Sequence, residues 1–104
     1  MNSISLHYLL DTFYFGVIVV DKEGNFLFSN AEAQRLLGYS KDILHNKNFK
    51  IINPIAWNEF QEIFKSGCTQ YGKRKQYKHK IFFVHRWPLW KDDCISAVVS
   101  VFQN

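Results

Sequence analysis

The sequence is poor in cysteine and has no long apolar run. Its two cysteines, Cys68 and Cys94, have no second cysteine or histidine at a zinc-like spacing, so we predict neither a disulfide scaffold nor a structural metal. The longest apolar run, residues 13–20, has eight residues, whereas a membrane-spanning helix needs about 20. The N-terminus also lacks the basic stretch and apolar core of a signal peptide. These absences predict a cytoplasmic protein that does not cross a membrane.

Combinations of side chains that would support catalysis are missing as well. We find no nucleophile beside a base, no paired carboxylates at a useful spacing, no glycine-rich phosphate loop and no cluster of metal ligands. Glu59 and Glu62 are predicted to lie on a solvated helix face, and Asp92 and Asp93 in a turn. The 104 residues contain no repeat or linker and fit a single domain over residues 1–104. We expect this domain not to be an enzyme.

Positive charge is concentrated in residues 73–80. The formal net charge is +4, and this segment contributes five lysine and arginine residues without an acid, which leaves the rest of the chain nearly neutral. Such a segment could bind the phosphates of a nucleic acid. Its alternation is also typical of an edge strand, where lysines prevent sheet-to-sheet aggregation. We favour the edge strand.

Aromatic residues make up 17% of the chain, more than a small core requires, which predicts a wide pocket, a partner surface or both. At the N-terminus, apolar residues recur at helical spacing and predict an amphipathic helix over residues 1–13. Its apolar stripe would contact the domain's own sheet or a second chain. The candidate dimer-interface residues on this stripe are Leu6, Leu9, Leu10 and Phe13.

The next part of the chain predicts a hairpin followed by a helix. Residues 17–20 and 26–28 are strand candidates, joined by the turn residues 21–25. Ser29 or Asn30 can cap the helix that follows. The inward face of that helix is predicted to consist of Ala33, Leu36 and Leu37.

Further helices are predicted in the middle of the chain. Ser40 can begin a short helix that ends near His45, while residues 46–52 show no clear period and indicate a loop or a helical turn. Asn53, followed by a proline, is typical of a helix start, and Gly67 of a helix end. The apolar face of this helix is predicted to consist of Ala56, Trp57, Phe60, Ile63 and Phe64.

The last third of the chain predicts strands over residues 69–77, 79–89 and 95–103. The order is therefore two strands, a block of short helices, and three strands. We predict an α+β domain in which a five-stranded antiparallel sheet has the helices on one face.

Several stretches resemble the PAS family. Residues 15–25 read FGVIVVDKEGN, residues 29–33 read SNAEA and residues 36–40 read LLGYS, which is similar to the opening of a PAS domain. The second half also fits, because residues 86–89 read RWPL and residues 97–103 read AVVSVFQ. This ending is most similar to PAS domains at the front of sigma-54-dependent transcriptional activators, and somewhat less similar to those of sensor histidine kinases.

The resemblance implies the PAS fold, and a sensory and dimerisation module with a cavity between the inner sheet face and the helices. It further implies a homodimer, a possible small-molecule ligand and an effector domain beyond residue 104. In the fourth strand, either Phe83, His85 and Trp87 or Phe82, Val84 and Arg86 face inward, and the sequence leaves this open. The candidate pocket residues are Leu37, Ile52, Trp57, Phe60, Phe64, Phe83, His85 and Arg86.

Arg86 would anchor an anionic ligand if it faced the cavity, and would form an ion pair on the outer sheet face or with a neighbouring subunit otherwise. Light-sensing relatives have a cysteine-containing motif where residues 48–53 of this chain read NFKIIN, so flavin photochemistry is excluded. Haem-binding relatives use an axial histidine, commonly on the helix over the sheet. That helix has none, and His45 is the nearest candidate, so we do not expect haem. The ligand itself is left unknown.

Three functions follow from these observations. The leading hypothesis is a regulatory sensor that responds to a small molecule or a partner through a rearranged dimer. The second is an interaction module whose pocket is filled by its own aromatic residues. The third, nucleic-acid binding through residues 73–80, is the least favoured.

Overall fold

The computed structural model describes Leu9 and residues 11–104. The strands are β1 (Gly16–Asp21), β2 (Phe26–Ser29), β3 (Gln70–Tyr77), β4 (Lys80–Lys91) and β5 (Cys94–Gln103). The helices of this described part are α1 (Ala31–Leu37), α2 (Lys41–Asn46), α3 (Phe49–Ile52) and α4 (Pro54–Ser66). The strands form one antiparallel sheet in the order β2-β1-β5-β4-β3. The predicted α+β architecture is confirmed.

Two of the turns between strands depend on aspartate and glycine. The Oδ1 atom of Asp21 accepts hydrogen bonds from two backbone N–H groups of the β1–β2 turn, at 3.0 and 2.9 Å. Gly24 in that turn has a φ of +88°, a conformation that L side chains rarely adopt. Asp92 and Asp93, with φ values of 51° and 66°, form the predicted turn between β4 and β5.

Helix α1 begins at a buried asparagine that also holds the first strand. The Oδ1 atom of Asn30 accepts hydrogen bonds from the backbone N–H groups of Ala33 and Val17, both at 2.9 Å. Its Nδ2 atom donates to the carbonyl oxygen of Phe15 at 3.0 Å. Asn30, rather than Ser29, is therefore the cap of α1, and one side chain joins the sheet to the helices.

The middle of the chain folds largely as its capping residues predict. Residues 46–52, for which the sequence allows a loop or a helical turn, contain the single helical turn α3. In this turn Asn48 Oδ1 accepts a hydrogen bond from the N–H of Lys50 at 2.9 Å. Helix α4 begins after Asn53, whose Oδ1 accepts the N–H of Ala56 at 3.1 Å, and ends at Gly67 with a φ of +72°. The predicted apolar face is buried at Ala56, Trp57, Phe60 and Ile63 and partly buried at Phe64.

Strand pairing settles which residues of β4 face the helices. Val84 pairs with Phe102 and Arg86 pairs with Ser100 on the central part of β5. Phe82, Val84 and Arg86 are buried, whereas Phe83 and His85 are exposed on the other face. Because side chains alternate along a strand, the residues that face the helices and those that face the other side are determined together.

The basic segment lies at the edge of the sheet, as predicted. Strand β3 is the last strand in the sheet order, and Lys73 and Arg74 are exposed on it. Lys75 forms an ion pair with Glu59, and Lys78 lies over the ring of Tyr39. Some of the cations in this segment therefore have partners within the domain.

The predicted N-terminal helix is described only in part. Leu6 and Leu10 lie outside the described residues. Leu9 is about half exposed, and the ring of Phe13 packs against that of Phe15 with 4.9 Å between centroids. The predicted helix does not reach Phe13, because Thr12 lies in a turn and Phe13 lies outside any helix. The helix over the earlier residues and its role at a dimer interface stay predictions.

We expect Asn30→Ala to lower the free energy of unfolding by about 2–4 kcal/mol, because it removes a helix cap and leaves buried backbone groups without partners. Urea denaturation measures this change. The control is Ser40→Ala, which removes an exposed cap with one hydrogen bond at 3.3 Å to Ile43 and should cost about 0.5–1 kcal/mol. Equal losses in the two variants would contradict the role assigned to Asn30.

Candidate functional site

A small cavity lies between α4 and the inner face of the sheet. Its volume is ≈ 70 Å³, well below the roughly 300–1,000 Å³ typical of sites for drug-sized ligands. Phe60 of α4, Phe82 of β4 and Phe102 of β5 supply apolar walls, and Arg86 lines it from β4. The cavity has room for a few non-hydrogen atoms, and the guanidinium group of Arg86 contributes a positive charge to its lining.

Arg86 is buried, with 5% of its side chain exposed. Its Nη1 atom donates to Oε1 of Glu59 at 2.7 Å and to Oε1 of Gln70 at 3.1 Å. The guanidinium carbon lies 5.0 Å from the ring centroid of Phe60, a cation–π contact. The Nε–H group is buried and has no hydrogen-bond partner. Burial lowers the pKa of Arg86, and the ion pair with Glu59 opposes this effect in part. The guanidinium stays charged because arginine is not deprotonated in proteins.

Glu59 of α4 connects two cations from two strands. Its Oε1 atom accepts from Arg86 of β4, and its Oε2 atom pairs with Nζ of Lys75 of β3. Burial raises the pKa of the Glu59 carboxyl, but hydrogen bonds from Lys75 and Arg86 outweigh burial and hold this pKa below its ordinary value of 4.5. Two cations and one carboxylate leave the cluster with one net positive charge.

The opposite face of the sheet has an apolar groove of ≈ 740 Å³. On this face, the Nδ1 atom of His85 accepts the backbone N–H of Gly72 at 3.0 Å. The residues that line the groove come from β1, β2, β3, β4, β5 and the segment before β1. They are Phe13, Phe15, Val17, Val19, Phe28, Tyr71, His85, Trp87, Val99 and Val101.

Comparison with known families agrees with this architecture. The family described as PAS fold matches residues 6–99 of the chain. The chain belongs to the PAS family. A search of curated proteins found no match.

Solved PAS domains have the same fold. The PAS domain of the histidine kinase ThkA has a TM-score of 0.77 at 15% identity, covering 86% of this chain and 98% of that one. A sensory box sensor histidine kinase from Vibrio cholerae has a TM-score of 0.74 at 13% identity, covering 90% and 84%. The photoactive yellow protein domain of the sensor histidine kinase Ppr from Rhodospirillum centenum has a TM-score of 0.71 at 17% identity, covering 96% and 94%. At these identities the likeness shows the fold alone.

The structure of this PAS domain brings together part of the predicted pocket. Leu37, Phe60 and Arg86 line the inner cavity. Three further candidates do not line it but belong to the aromatic and aliphatic core beside it, where the rings of Phe49 and Phe60 lie 4.6 Å apart. These three are Ile52, Trp57 and Phe64.

The prediction that Phe83 and His85 line the inner cavity is wrong. Both point to the outer face of the sheet, where Phe83 is 47% exposed and its ring lies 5.8 Å from the guanidinium carbon of Arg74. Neighbouring residues on a strand point to opposite faces of the sheet. Because Arg86 faces the cavity, His85 must face the other side.

The interpretation of Glu59 as a solvated residue holds only in part, because its side chain is 27% exposed and lines the cavity. Lys75 also lines the cavity and was not among the predicted pocket residues. Glu59 lies three residues after Ala56 and four before Ile63, both of which are buried. This spacing places Glu59 on the apolar face of α4. A charged residue on such a face is a signal for an ion pair between the helix and the sheet.

The inner cavity does not fit a flavin or a haem, which are far larger than ≈ 70 Å³. His45 lies at the end of α2, with its Nε2 atom 3.3 Å from the hydroxyl of Ser29, and does not line the cavity. Burial and the charge of Lys41 lower the pKa of His45, although Asp42 opposes them.

No helix among the described residues is long and apolar enough to span a bilayer. Nor do they include a group of three or more His, Cys, Asp or Glu side chains arranged to hold a metal ion.

We expect the ion pairs of Glu59 to make stability depend on pH. The pKa of Glu59 is lowered by folding, so its contribution is present above its unfolded value of about 4.5 and is lost as the pH falls through the folded value. The urea midpoint of the wild type should therefore fall more steeply below about pH 5 than that of Glu59→Gln. The exposed neighbour variant Glu62→Gln is the control and should keep the wild-type slope. Parallel profiles for the wild type and Glu59→Gln would contradict this role.

Proposed function

We propose that this PAS domain is the sensory and dimerisation module of a larger signalling protein, and that it signals through a homodimer formed by the outer face of its sheet. The apolar groove on that face is the observation that carries the proposal. Large apolar patches on soluble proteins commonly mark interaction sites.

The composition of the groove favours a second copy of the same chain. Among the described residues that line it there is no lysine, arginine, aspartate or glutamate. Two identical copies can therefore meet face to face without repulsion between like charges. The same patch on both subunits would form a two-fold symmetric contact.

For the input signal we propose a small molecule in the inner cavity. A ligand that contacts Arg86 on β4 and Phe60 on α4 would favour one packing of the helices against the sheet. Because β4 presents its other face to the groove, a change in β4 would reach the subunit contact. A shift from mostly inactive to mostly active requires about 5.5 kcal/mol of differential affinity, and partial shifts require less.

A second candidate is a ligand-free interaction module, which the small cavity volume favours. The inner face is largely filled by the domain's own rings, with Phe49 packed on Phe60, Trp57 and Phe26. In this case a partner protein on the outer groove would be the only input.

For the output we propose an effector that follows the domain in the cytoplasm. The RWPL and AVVSVFQ stretches favour a sigma-54-dependent transcriptional activator, with a sensor histidine kinase as the alternative. Nucleic-acid binding would then be a task of the effector rather than of residues 73–80, three of whose cations already have partners in the fold.

Tyr71→Glu should weaken the homodimer by at least about tenfold, because it places a charge in an apolar contact. Tyr71 is 67% exposed, so this change should leave the fold intact. The matched control is Ile51→Glu on α3, which is 72% exposed and lies outside the groove. Sedimentation velocity over a concentration series measures both. A wild type that stays monomeric, or equal effects of the two variants, would refute the outer-face dimer.

Native mass spectrometry of the freshly purified domain distinguishes the two candidate inputs. The small-molecule sensor should retain extra mass that disappears on denaturation. A dimer without extra mass, in samples purified without added small molecules, would favour the ligand-free module.

A further inference from the structure

His85 lines the outer groove in a form that can take up a proton. The backbone N–H of Gly72 donates a hydrogen bond to its Nδ1 atom at 3.0 Å. Because a backbone N–H can only donate, Nδ1 carries no proton, and the neutral ring has its proton on Nε2. A second proton, on Nδ1, would set two donors against each other and break this hydrogen bond.

The same hydrogen bond holds an irregular part of the edge strand. The pairing of β3 with β4 shifts register between Gln70 and Lys73. Gly72, inside this irregularity, has a φ of +60°, which glycine adopts without steric cost. The ring of Tyr71, the preceding residue, also lines the groove, and its centroid lies 5.9 Å from that of His85. Protonation of His85 would therefore release the backbone that positions Tyr71 in the groove.

The surroundings of His85 offer no carboxylate to balance a positive charge. None of the described residues that line the groove is an acid. Strand β5 places Val101 opposite His85. The charged or titratable groups that the neighbouring strand β3 presents on this face are Tyr71 and, over the ring of Phe83, the guanidinium of Arg74. Strands β1 and β2 and the segment before β1 contribute only apolar side chains to the groove.

We propose that His85 makes the outer-face homodimer depend on pH, so that the dimer forms when His85 is neutral and dissociates when His85 is protonated. This inference rests on the proposed outer-face dimer and adds its regulation. A two-fold contact brings the same patch of both subunits together, so protonation would place one charge from each subunit in an apolar contact, which is unfavourable. Histidine ordinarily takes up a proton at about pH 6.5.

The direction and the size of the effect follow from proton linkage. The dimer favours the neutral form of His85, so its full stability is present above about pH 6.5 and is lost as the pH falls below this value. At one pH unit lower, each subunit must give up a proton that about ten in eleven copies hold. The dimer Kd should therefore rise about a hundredfold between about pH 7.5 and about pH 5.5.

Sedimentation velocity over a concentration series at these two pH values measures the dimer Kd. In His85→Asn the side-chain oxygen can accept the N–H of Gly72 but does not titrate, so the Kd of this variant should change less than about threefold between the two pH values. The chain has four histidines, and the matched control is His79→Asn in the exposed turn between β3 and β4, which should keep the wild-type rise. The wild-type rise in His85→Asn would overturn the proposal.

A second measurement uses the wild type alone. In ¹H–¹⁵N spectra of the dilute, monomeric domain, the Gly72 amide resonance should move with the protonation of the His85 ring as the hydrogen bond to Nδ1 is lost. Circular dichroism at both pH values checks that the domain stays folded. A Gly72 amide that does not follow the His85 ring would also overturn the proposal.

The outcomes separate this inference from the proposed dimer. A wild type that is monomeric at both pH values would refute the outer-face dimer, and its pH dependence with it. A dimer that Tyr71→Glu weakens but that keeps one Kd at both pH values would refute the pH dependence alone.

Discussion

Hydrogen bonds from the buried Asn30 side chain to described backbone groups determine how the helices are attached to the sheet. Its amide group binds the first turn of α1 and the backbone on both sides of Gly16 at the start of β1. These hydrogen bonds set the direction and the position of α1 relative to β1. Since α2, α3 and α4 follow through short connections, the whole helical layer is placed over one face of the sheet. An unsatisfied amide at this depth would be costly, so the contact has little freedom to vary.

The inner face has a second polar contact, formed by Arg86, Glu59 and Lys75. It ties α4 to both β4 and the edge strand β3. Removing charges from water is unfavourable, and a buried ion pair adds little net stability. Of the three residues only Arg86 is fully removed from water, with 5% of its side chain exposed, whereas Glu59 and Lys75 keep 27% and 36%. The cluster is also where a ligand would act on helix and sheet together.

The two faces of the sheet differ in what they offer a partner. The inner face is closely packed with aromatic rings and leaves a cavity of ≈ 70 Å³, whereas the outer face has an apolar groove of ≈ 740 Å³. Strand β4 contributes to both, with Arg86 on one side and Trp87 on the other. A change in its inner contacts is thus one residue away from the outer surface. This arrangement suits a module that couples a small input to a protein contact.

The sequence by itself determined the local elements of this protein. Asn53 before a proline, Gly67 after the apolar stripe and the turn residues around Gly24 predict helix and turn positions, because capping and turn geometry depend on a few neighbouring residues. The PAS motifs added the expectation of a cavity between the helices and the inner face of the sheet. Tertiary structure alone decided that Arg86 faces inward and His85 outward, because an alternating strand can present either set to the core. It also brought Glu59, Lys75 and Arg86 together from three elements, since an ion pair between distant residues depends on strand register and helix rotation.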